Sequence, residues 1–334
     1  MKRVILYSLS VALATTSIKK VQAQVDPHFT QYYVHTSWLN PALTGLFDGD
    51  YRVAGIYRNQ WGNVSSPFLT MGASAEMAAT AKNINLGVNV INQKAGDGGF
   101  GYTTAYGNFN YTGVRFGAQE NHRVAMAIQM GLIQRRFNPS KLVFSDQWNP
   151  VTGIMRPTAE TFNKTSSLSF DAGAGFLYYD ATPGKKANVF AGFSASHITQ
   201  PVNEFSADGN EKMPVRYTGH AGVRIVINEM LSLTPNALYL RQGTAEEKML
   251  GMYARMRAAA TTDVMLGMNY RFKDAIAAHA GFTWNNLVFS MSYDINTSQL
   301  GKMVNGTNSF EVSISYTGHK KAKTPEVEFI CPRL

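Results

Sequence analysis

The side chains that most often do chemistry are scattered along this chain. Its seven histidines show neither the HxxxH nor the HExxH spacing that brings two imidazoles to one zinc ion: His28, His35, His122, His197, His220, His279 and His319. The single cysteine, Cys331, has no second thiol with which to form a disulfide or a thiolate metal site. The sequence therefore predicts no metal ion and no other cofactor.

A hydrolytic site is the other chemistry to weigh. His197 lies close in sequence to Glu204 and Asp208, and a base beside an acid is the usual start of such a site. The spacing matches no recognised catalytic motif. The run from Gly98 to Gly101 has the glycines of a phosphate loop but lacks the Lys-Ser/Thr pair and the helix that must follow. We expect no enzyme; a barrel hydrolase would need activity that depends on His197 or His220.

Composition favours many short strands. Charged residues make up 16% of the 334-residue chain, against about a quarter in ordinary soluble domains, and aromatic residues make up 12%. The net charge of +9 is partly carried by the first residues, and no other basic cluster with interleaved aromatics is present. A nucleic-acid partner is therefore not expected.

The first residues have the order of a secretory signal peptide. Lys2 and Arg3 precede the apolar run 4–14, and the small residues Val21 and Ala23 offer a cleavage site. We expect residues 1–23 to be removed by cleavage near Ala23. A short N-terminal anchor helix is the alternative.

A period of two dominates the rest of the chain. In Asn308–His319 the large apolar residues Phe310, Val312, Ile314 and Tyr316 alternate with polar ones, which is typical of a strand with two unlike faces. About fourteen such segments can be counted, each close to the length of a tilted strand that spans a bilayer. They are 51–61, 68–79, 83–93, 100–112, 122–136, 168–179, 187–199, 214–227, 230–242, 246–257, 262–272, 275–283, 285–295 and 307–318.

The connections between these segments discriminate between a membrane barrel and a soluble sandwich. The long connections, 138–167, 199–213 and 296–306, all follow odd-numbered segments and so fall on one side. Outer-membrane barrels have short periplasmic turns and longer outer loops, whereas a sandwich has no reason to sort its loops. We predict a transmembrane antiparallel outer-membrane β-barrel over 51–318, with both termini periplasmic. Several tyrosines and tryptophans near segment ends would form its interfacial girdle: Tyr51, Trp61, Tyr178, Tyr179, Tyr239, Trp284 and Tyr316.

The chain resembles the PorP/SprF family of the type IX secretion and gliding systems. The resemblance rests on four pieces at both ends of the mature chain: Asp26-Pro27-His28-Phe29-Thr30-Gln31-Tyr32, Asn40-Pro41-Ala42 ahead of Gly45, Tyr57-Arg58-Asn59-Gln60-Trp61, and Cys331-Pro332-Arg333-Leu334. It implies that the signature residues bind partners: Asp26, Pro27, Phe29, Gln31, Tyr32, Asn40, Pro41, Arg58, Trp61, Cys331, Pro332 and Arg333.

The resemblance also implies a function. It is that of an outer-membrane scaffold or anchor in a Gram-negative bacterium of the Bacteroidetes type, bound to the lipid bilayer. The implied partners are periplasmic ring-forming and peptidoglycan-binding components, and the C-terminal domains of exported cargo or adhesins. A passive porin or small-solute channel is the alternative.

Charged residues on the polar face indicate what fills such a barrel. By parity seven arginines point inward, with four acids as possible partners: Arg52, Arg58, Arg216, Arg224, Arg255, Arg257 and Arg271, then Asp171, Asp263, Asp294 and Glu311. They could form an ion-pair network, line an anion-selective pore, or hold a plug. Residues 24–50 show no period of two and could be that plug, entering from the periplasmic end. The tail 319–334 would lie in the periplasm and could add a short strand to a partner.

Overall fold

A computed structural model describes most of the chain. The described residues are 26–62, 67–79, 83–96, 99–149, 151, 153, 155–162, 164–202, 212–298 and 308–319. The expected signal peptide and all of the tail beyond His319 lie outside them, and so do the signature residues Cys331, Pro332 and Arg333. Among the described residues no helix is both long enough and apolar enough to cross a membrane.

Within the described residues, fourteen antiparallel strands close into one barrel, which confirms the predicted antiparallel β-barrel, while the periplasmic location of both termini stays a prediction. The strands are β1 (Tyr51–Gln60), β2 (Phe68–Ala79), β3 (Ile84–Ala95), β4 (Phe100–Phe116), β5 (His122–Arg136), β6 (Ser166–Asp180), β7 (Ala187–Ser196), β8 (Arg216–Val226), β9 (Leu231–Gln242), β10 (Ala245–Ala259), β11 (Thr262–Arg271), β12 (Ala275–Trp284), β13 (Leu287–Asn296) and β14 (Ser309–Gly318). Closure is made by β1 and β14, which pair from Tyr51 with Gly318 to Gln60 with Ser309.

Strand ends differ from the prediction where the period of two is interrupted. β4 continues to Phe116 because a bulge between Tyr111 and Val114 shifts the register and resets the alternation. A second bulge before Ala259 lengthens β10 in the same way. β7 ends earlier than predicted, at Ser196, because His197 adopts a left-handed conformation with φ 59° that stops the strand.

The two faces of the wall separate as a membrane barrel requires. Large apolar side chains such as Met71, Phe170 and Met291 are exposed on the outside, each more than half accessible. Polar side chains such as Asp171 and Thr104 are buried on the inside. In a sandwich the apolar faces would meet each other, so this arrangement excludes that alternative.

Most of the predicted aromatic girdle faces outward. The rings of Tyr51 and Tyr316 lie 6.1 Å apart at the strand ends, and Trp284 and Tyr239 are exposed. The prediction is wrong for Tyr179, which is buried inside the barrel. It follows Tyr178 directly, and adjacent residues of one strand point to opposite faces.

The segment ahead of β1 fills the interior. It contains the helix α1 (Thr36–Leu39) and a 3-10 turn, Pro41–Leu43, and nearly every side chain from Asp26 to Phe47 is buried. Asn40 starts the turn, since its side-chain oxygen accepts the backbone N–H of Ala42 at 2.9 Å and Pro41 suits the first position. We call residues 26–47 the plug segment.

The plug segment crosses the barrel from one end to the other. Asp26 lies beside the start of β8, at the end that carries the long connections 137–165, 197–215 and 297–308. Asp50 lies at the opposite end, where its N–H donates to the carbonyl of Gly318 at 2.9 Å. Asp26 and His319, the first and last described residues, therefore lie at opposite ends of the barrel, which differs from the prediction of a segment that enters from the periplasmic end.

Candidate functional site

The plug segment is held first by a buried cluster of charges around Thr30. The Arg58 guanidinium pairs with Glu311 and, at 3.1 Å, with Asp294, and it donates to the Thr30 hydroxyl at 3.0 Å. Arg271 binds the other side of the cluster, 2.9 Å from Asp294 and 3.1 Å from Thr30. The two carboxylates and two guanidiniums are fully desolvated and compensate each other.

Glu311 also binds the backbone of the plug segment. Its two carboxylate oxygens accept the N–H groups of Thr30 at 2.6 Å and Gln31 at 2.8 Å. The Gln31 side chain in turn accepts from the Ser313 hydroxyl at 2.8 Å. Hydrogen bonds to a charged acceptor are stronger than neutral ones, so β14 fixes this part of the segment tightly.

A second cluster holds the first described residue. Asp26 accepts from the Tyr102 hydroxyl at 2.9 Å, lies 2.6 Å from His197 Nε2, and pairs with Arg216 at 3.1 Å. Arg216 also stacks over the Trp38 ring at 4.3 Å and donates to the Trp38 carbonyl at 3.0 Å. The inward-facing Arg216 thus contacts both an acid and a backbone carbonyl of the plug segment.

His197 is fully occupied by carboxylates. Its Nδ1 lies 2.8 Å from Asp171, while its Nε2 faces Asp26. Donation to both acids requires both ring nitrogens to carry a proton, and neither is left to accept one from a hydroxyl. This geometry does not support the role of catalytic base considered for His197.

The other end of the plug segment is held by Glu76 on β2. Its carboxylate accepts from Arg52 at 2.9 Å and from the Gly45 N–H at 2.8 Å, and Arg52 also donates to the Thr36 hydroxyl at 2.6 Å. Gly45 has a φ of 73°, a conformation that glycine adopts without steric cost. The turn into β1 is therefore fixed by charge and by backbone geometry together.

The wall leaves room for Asn40 and Pro41 in the middle of the barrel. Asn40 Nδ2 donates to the Phe176 carbonyl at 3.0 Å and lies 3.1 Å from His220 Nε2. A Cβ added at Gly175 would fall 2.1 Å from Asn40 Oδ1 and 2.9 Å from Pro41 Cγ. Only glycine at this wall position permits the contact.

Three of the seven arginines predicted to face inward are buried in these contacts, Arg58, Arg216 and Arg271, and a fourth, Arg52, is partly buried in them. Arg255 pairs with Asp263 near the short-turn end, and Arg257, whose side chain is 62% exposed, lies 3.9 Å from the same acid. Arg224 is half-buried on β8. The interior arginines thus belong to an ion-pair and hydrogen-bond network that holds the plug segment.

The signature residues that the structure describes come together in this interior. Those on the plug segment are buried: Asp26, Pro27, Phe29, Gln31, Tyr32, Asn40 and Pro41. Arg58 meets them from β1, whereas Trp61 sits at the rim beyond β1, 5.2 Å from the Phe68 ring. None of the buried ones is accessible to an external partner in this state.

Sequence reasoning missed several contacts of the plug segment, among them those made by Thr30, Glu76 and His197. Thr30 lies within the first sequence piece of the family resemblance, and Glu76 lies on the inward-facing side of β2 in its two-residue alternation. The sequence therefore contained a pattern that could have identified both residues. No such pattern marked His197, since its contacts with Asp26 and Asp171 depend on three distant parts of the chain.

An open cavity of about 350 Å³ remains at the short-turn end. Its lining includes Phe47, Arg52, Arg257, Asp263 and His319, so charged and aromatic groups share it. In the part of the chain that the structure describes, no group of three or more His, Cys, Asp or Glu side chains could hold a metal ion.

The family model described as "Type IX secretion system membrane protein PorP/SprF" matches residues 21–316. The chain belongs to the PorP/SprF family. The match spans the plug segment and the barrel together, so the filled interior lies within the part that the family shares. Among curated proteins, none matches the chain.

Solved barrels share the architecture of this family member at very low identity. The toluene transporter TbuX from Ralstonia pickettii is 10% identical with a TM-score of 0.53, over 85% of this chain and 92% of its own. The TodX deltaS2S3 mutant, a monoaromatic hydrocarbon channel, is 10% identical with a TM-score of 0.52, over 84% of this chain and 93% of its own. At this identity the likeness concerns the fold alone.

Proposed function

We propose that this protein is a closed scaffold or anchor of the type IX secretion machinery in the outer membrane and is not an enzyme. The single observation that carries the proposal is the filled interior. The plug segment occupies the barrel from end to end and is tied to β1, β2, β11, β13 and β14 by buried charges. Burying ion pairs costs desolvation free energy. A passive pore has no use for that cost, whereas a scaffold that must keep one defined interior does.

The two ends of the barrel would meet different partners. Short connections are typical of the periplasmic side, so the end with Asp50 and His319 faces the periplasm in this proposal. The cavity there, with Arg257 and Asp263 at its mouth, and the tail 319–334 would bind periplasmic ring-forming and peptidoglycan-binding components. The long connections at the other end would meet exported cargo domains or adhesins.

The experiment is affinity purification of the tagged full-length protein from native membranes, followed by mass spectrometry. Wild type should recover periplasmic secretion components. Arg257→Glu, which reverses an exposed charge at the cavity, should recover less of them, whereas Arg156→Glu, in the long connection after β5, should not. Equal recovery from both variants would remove the cavity from the proposal, and recovery of no secretion component by wild type would overturn it.

A passive solute channel is the second candidate. The similar solved structures are named as a transporter and a channel, but the likeness extends only to the fold. The candidate requires the plug segment to leave or shift. Conductance across a planar bilayer separates the two, because a closed scaffold is nearly silent.

A further inference from the structure

The outer face of β3, β4 and β5 changes character toward the long-connection end. Outward-facing residues that are register partners across the three strands form rows, and successive rows change from apolar to polar to cationic. The apolar row is Val90, Ala105 and Leu132, the polar row is Asn92, Thr103 and Gln134, and the cationic row is Lys94, Gly101 and Arg136. No residue in the last row is acidic, including its flanking partners Leu69 and Ser166. Asp97, in the turn between β3 and β4, lies outside the described residues.

Two glycines, Gly99 and Gly101, each have a cationic side chain next to them. A Cβ added at Gly101 would lie 3.2 Å from both Cγ and Nε of Arg136, so the arginine lies across the bare backbone of β4 toward Lys94. A Cβ at Gly99 would lie 3.8 Å from the ammonium of Lys141. Arg136 and Lys141 thus lie against two neighbouring glycines close to Lys94, the register partner of Gly101.

The depth of the cluster in the bilayer follows from strand geometry. Rows two residues apart are about 6.8 Å apart along a strand, or about 5 Å along the membrane normal at the usual tilt. The cationic row therefore lies about 10 Å beyond the last apolar row. The polar headgroups extend roughly 5–8 Å beyond the hydrocarbon on each side, so the row lies at their outer edge, where long lysine and arginine side chains reach back to the phosphates.

We infer that Lys94, Arg136 and Lys141 form a binding site for the phosphate of a membrane lipid headgroup. The apolar rows below would contact the acyl chains, and the cations would meet the phosphate where the chains end. Arginine and lysine are both suited to phosphate, the arginine through paired donors.

A comparable group on the opposite wall lacks this character. Arg241 on β9 is the register partner of Glu246 on β10, and Lys248 lies 3.0 Å from the same carboxylate. These outward cations are at least partly neutralised by their own acid. They therefore provide a matched control with one arginine and one lysine.

The test measures binding of lipid A, as a phosphate-bearing probe, to the detergent-solubilised full-length protein by native mass spectrometry. Dephosphorylated lipid A and inorganic phosphate are the two comparison probes. Lys94→Gln/Arg136→Gln is compared with Arg241→Gln/Lys248→Gln, and heat-modifiable gel mobility confirms that each barrel is folded. Arg136→Lys serves as the conservative variant.

Lipid A should bind wild type, and the Lys94/Arg136 double variant should bind it at least about tenfold more weakly, as expected for the loss of charged hydrogen bonds. The control double variant should bind as wild type does, and Arg136→Lys should retain part of the affinity. Equal binding by the two double variants would overturn the inference. So would binding of dephosphorylated lipid A as tight as that of lipid A, or a free-phosphate affinity that matches the lipid's.

Discussion

Replacing Arg58 by methionine should weaken the buried charge cluster that holds the plug segment at Thr30. Arg58 is the cation of Glu311 and one of two cations of Asp294, and it donates to Thr30 on the segment. In the variant Asp294 keeps Arg271, but the buried Glu311 keeps only neutral donors. Removing one partner of a buried ion pair costs about 3–5 kcal/mol.

This cost destabilises the state in which the segment is in place, so the variant shifts the equilibrium toward a state with the segment displaced. At about 1.4 kcal/mol per factor of ten, the displaced fraction should rise by a factor on the order of 10² to 4 × 10³. Arg58→Met/Glu311→Gln should recover much of the loss, because the unpaired carboxylate is gone.

Thiol labelling reads out this fraction. Ala42 is fully buried on the plug segment, and Ala42→Cys in a Cys331→Ser background gives one reporter thiol. Its reaction with a membrane-impermeant maleimide should be slow in wild type and faster in the Arg58 variant by the factor above. The matched control is Arg257→Met, whose exposed 3.9 Å pair is worth less than about 1 kcal/mol and should change the rate less than about fivefold. Equal labelling rates for wild type and Arg58→Met, with both barrels folded, would refute the reasoning.

Three further perturbations test other parts of the molecule. Gly175→Val places carbon where Asn40 lies and should raise labelling of the same thiol about 5- to 100-fold, the effect of overpacking by about 1–3 kcal/mol, whereas Gly219→Val, where a Cβ meets nothing within 4 Å, should not. In the long connection after β5 the Ala159 N–H donates to the Asp146 carboxylate and lowers its pKa below the ordinary 3.8, so this contact is present above that value and is lost as the pH falls through the lowered pKa. Hydrogen-exchange protection of the Ala159 amide should follow that course and should be low at every pH in Asp146→Ala; protection that survives acid would contradict the assignment. Deleting residues 319–334 should leave a heat-modifiable barrel that recovers less of the periplasmic components, and undiminished recovery would exclude the tail from binding.

The wall was predictable from sequence because its pattern is local. A period of two with sorted connections places Met71 or Phe170 on the lipid side without knowledge of any partner strand. The prediction failed where a local irregularity interrupts the period, as at the bulge after Tyr111 and at the left-handed His197.

The sequence predicted which residues face the interior but not the contacts that they make there. Parity placed Arg58 and Glu311 on the inner face, and the absence of a period in 24–50 marked that segment as a possible plug. The pairing of Thr30 with Asp294 joins residues far apart in the chain, and no local pattern encodes such a contact. The plug segment also crosses the whole barrel, so that Asp26 and Asp50 lie at opposite ends. This path likewise depends on the long-range contacts.

The most direct test of the closed interior is the conductance of the purified full-length protein in a planar lipid bilayer. A barrel filled from Asp26 to Phe47 should be nearly silent, and Arg58→Met should add brief openings. Steady, porin-like conductance from wild type would contradict the account.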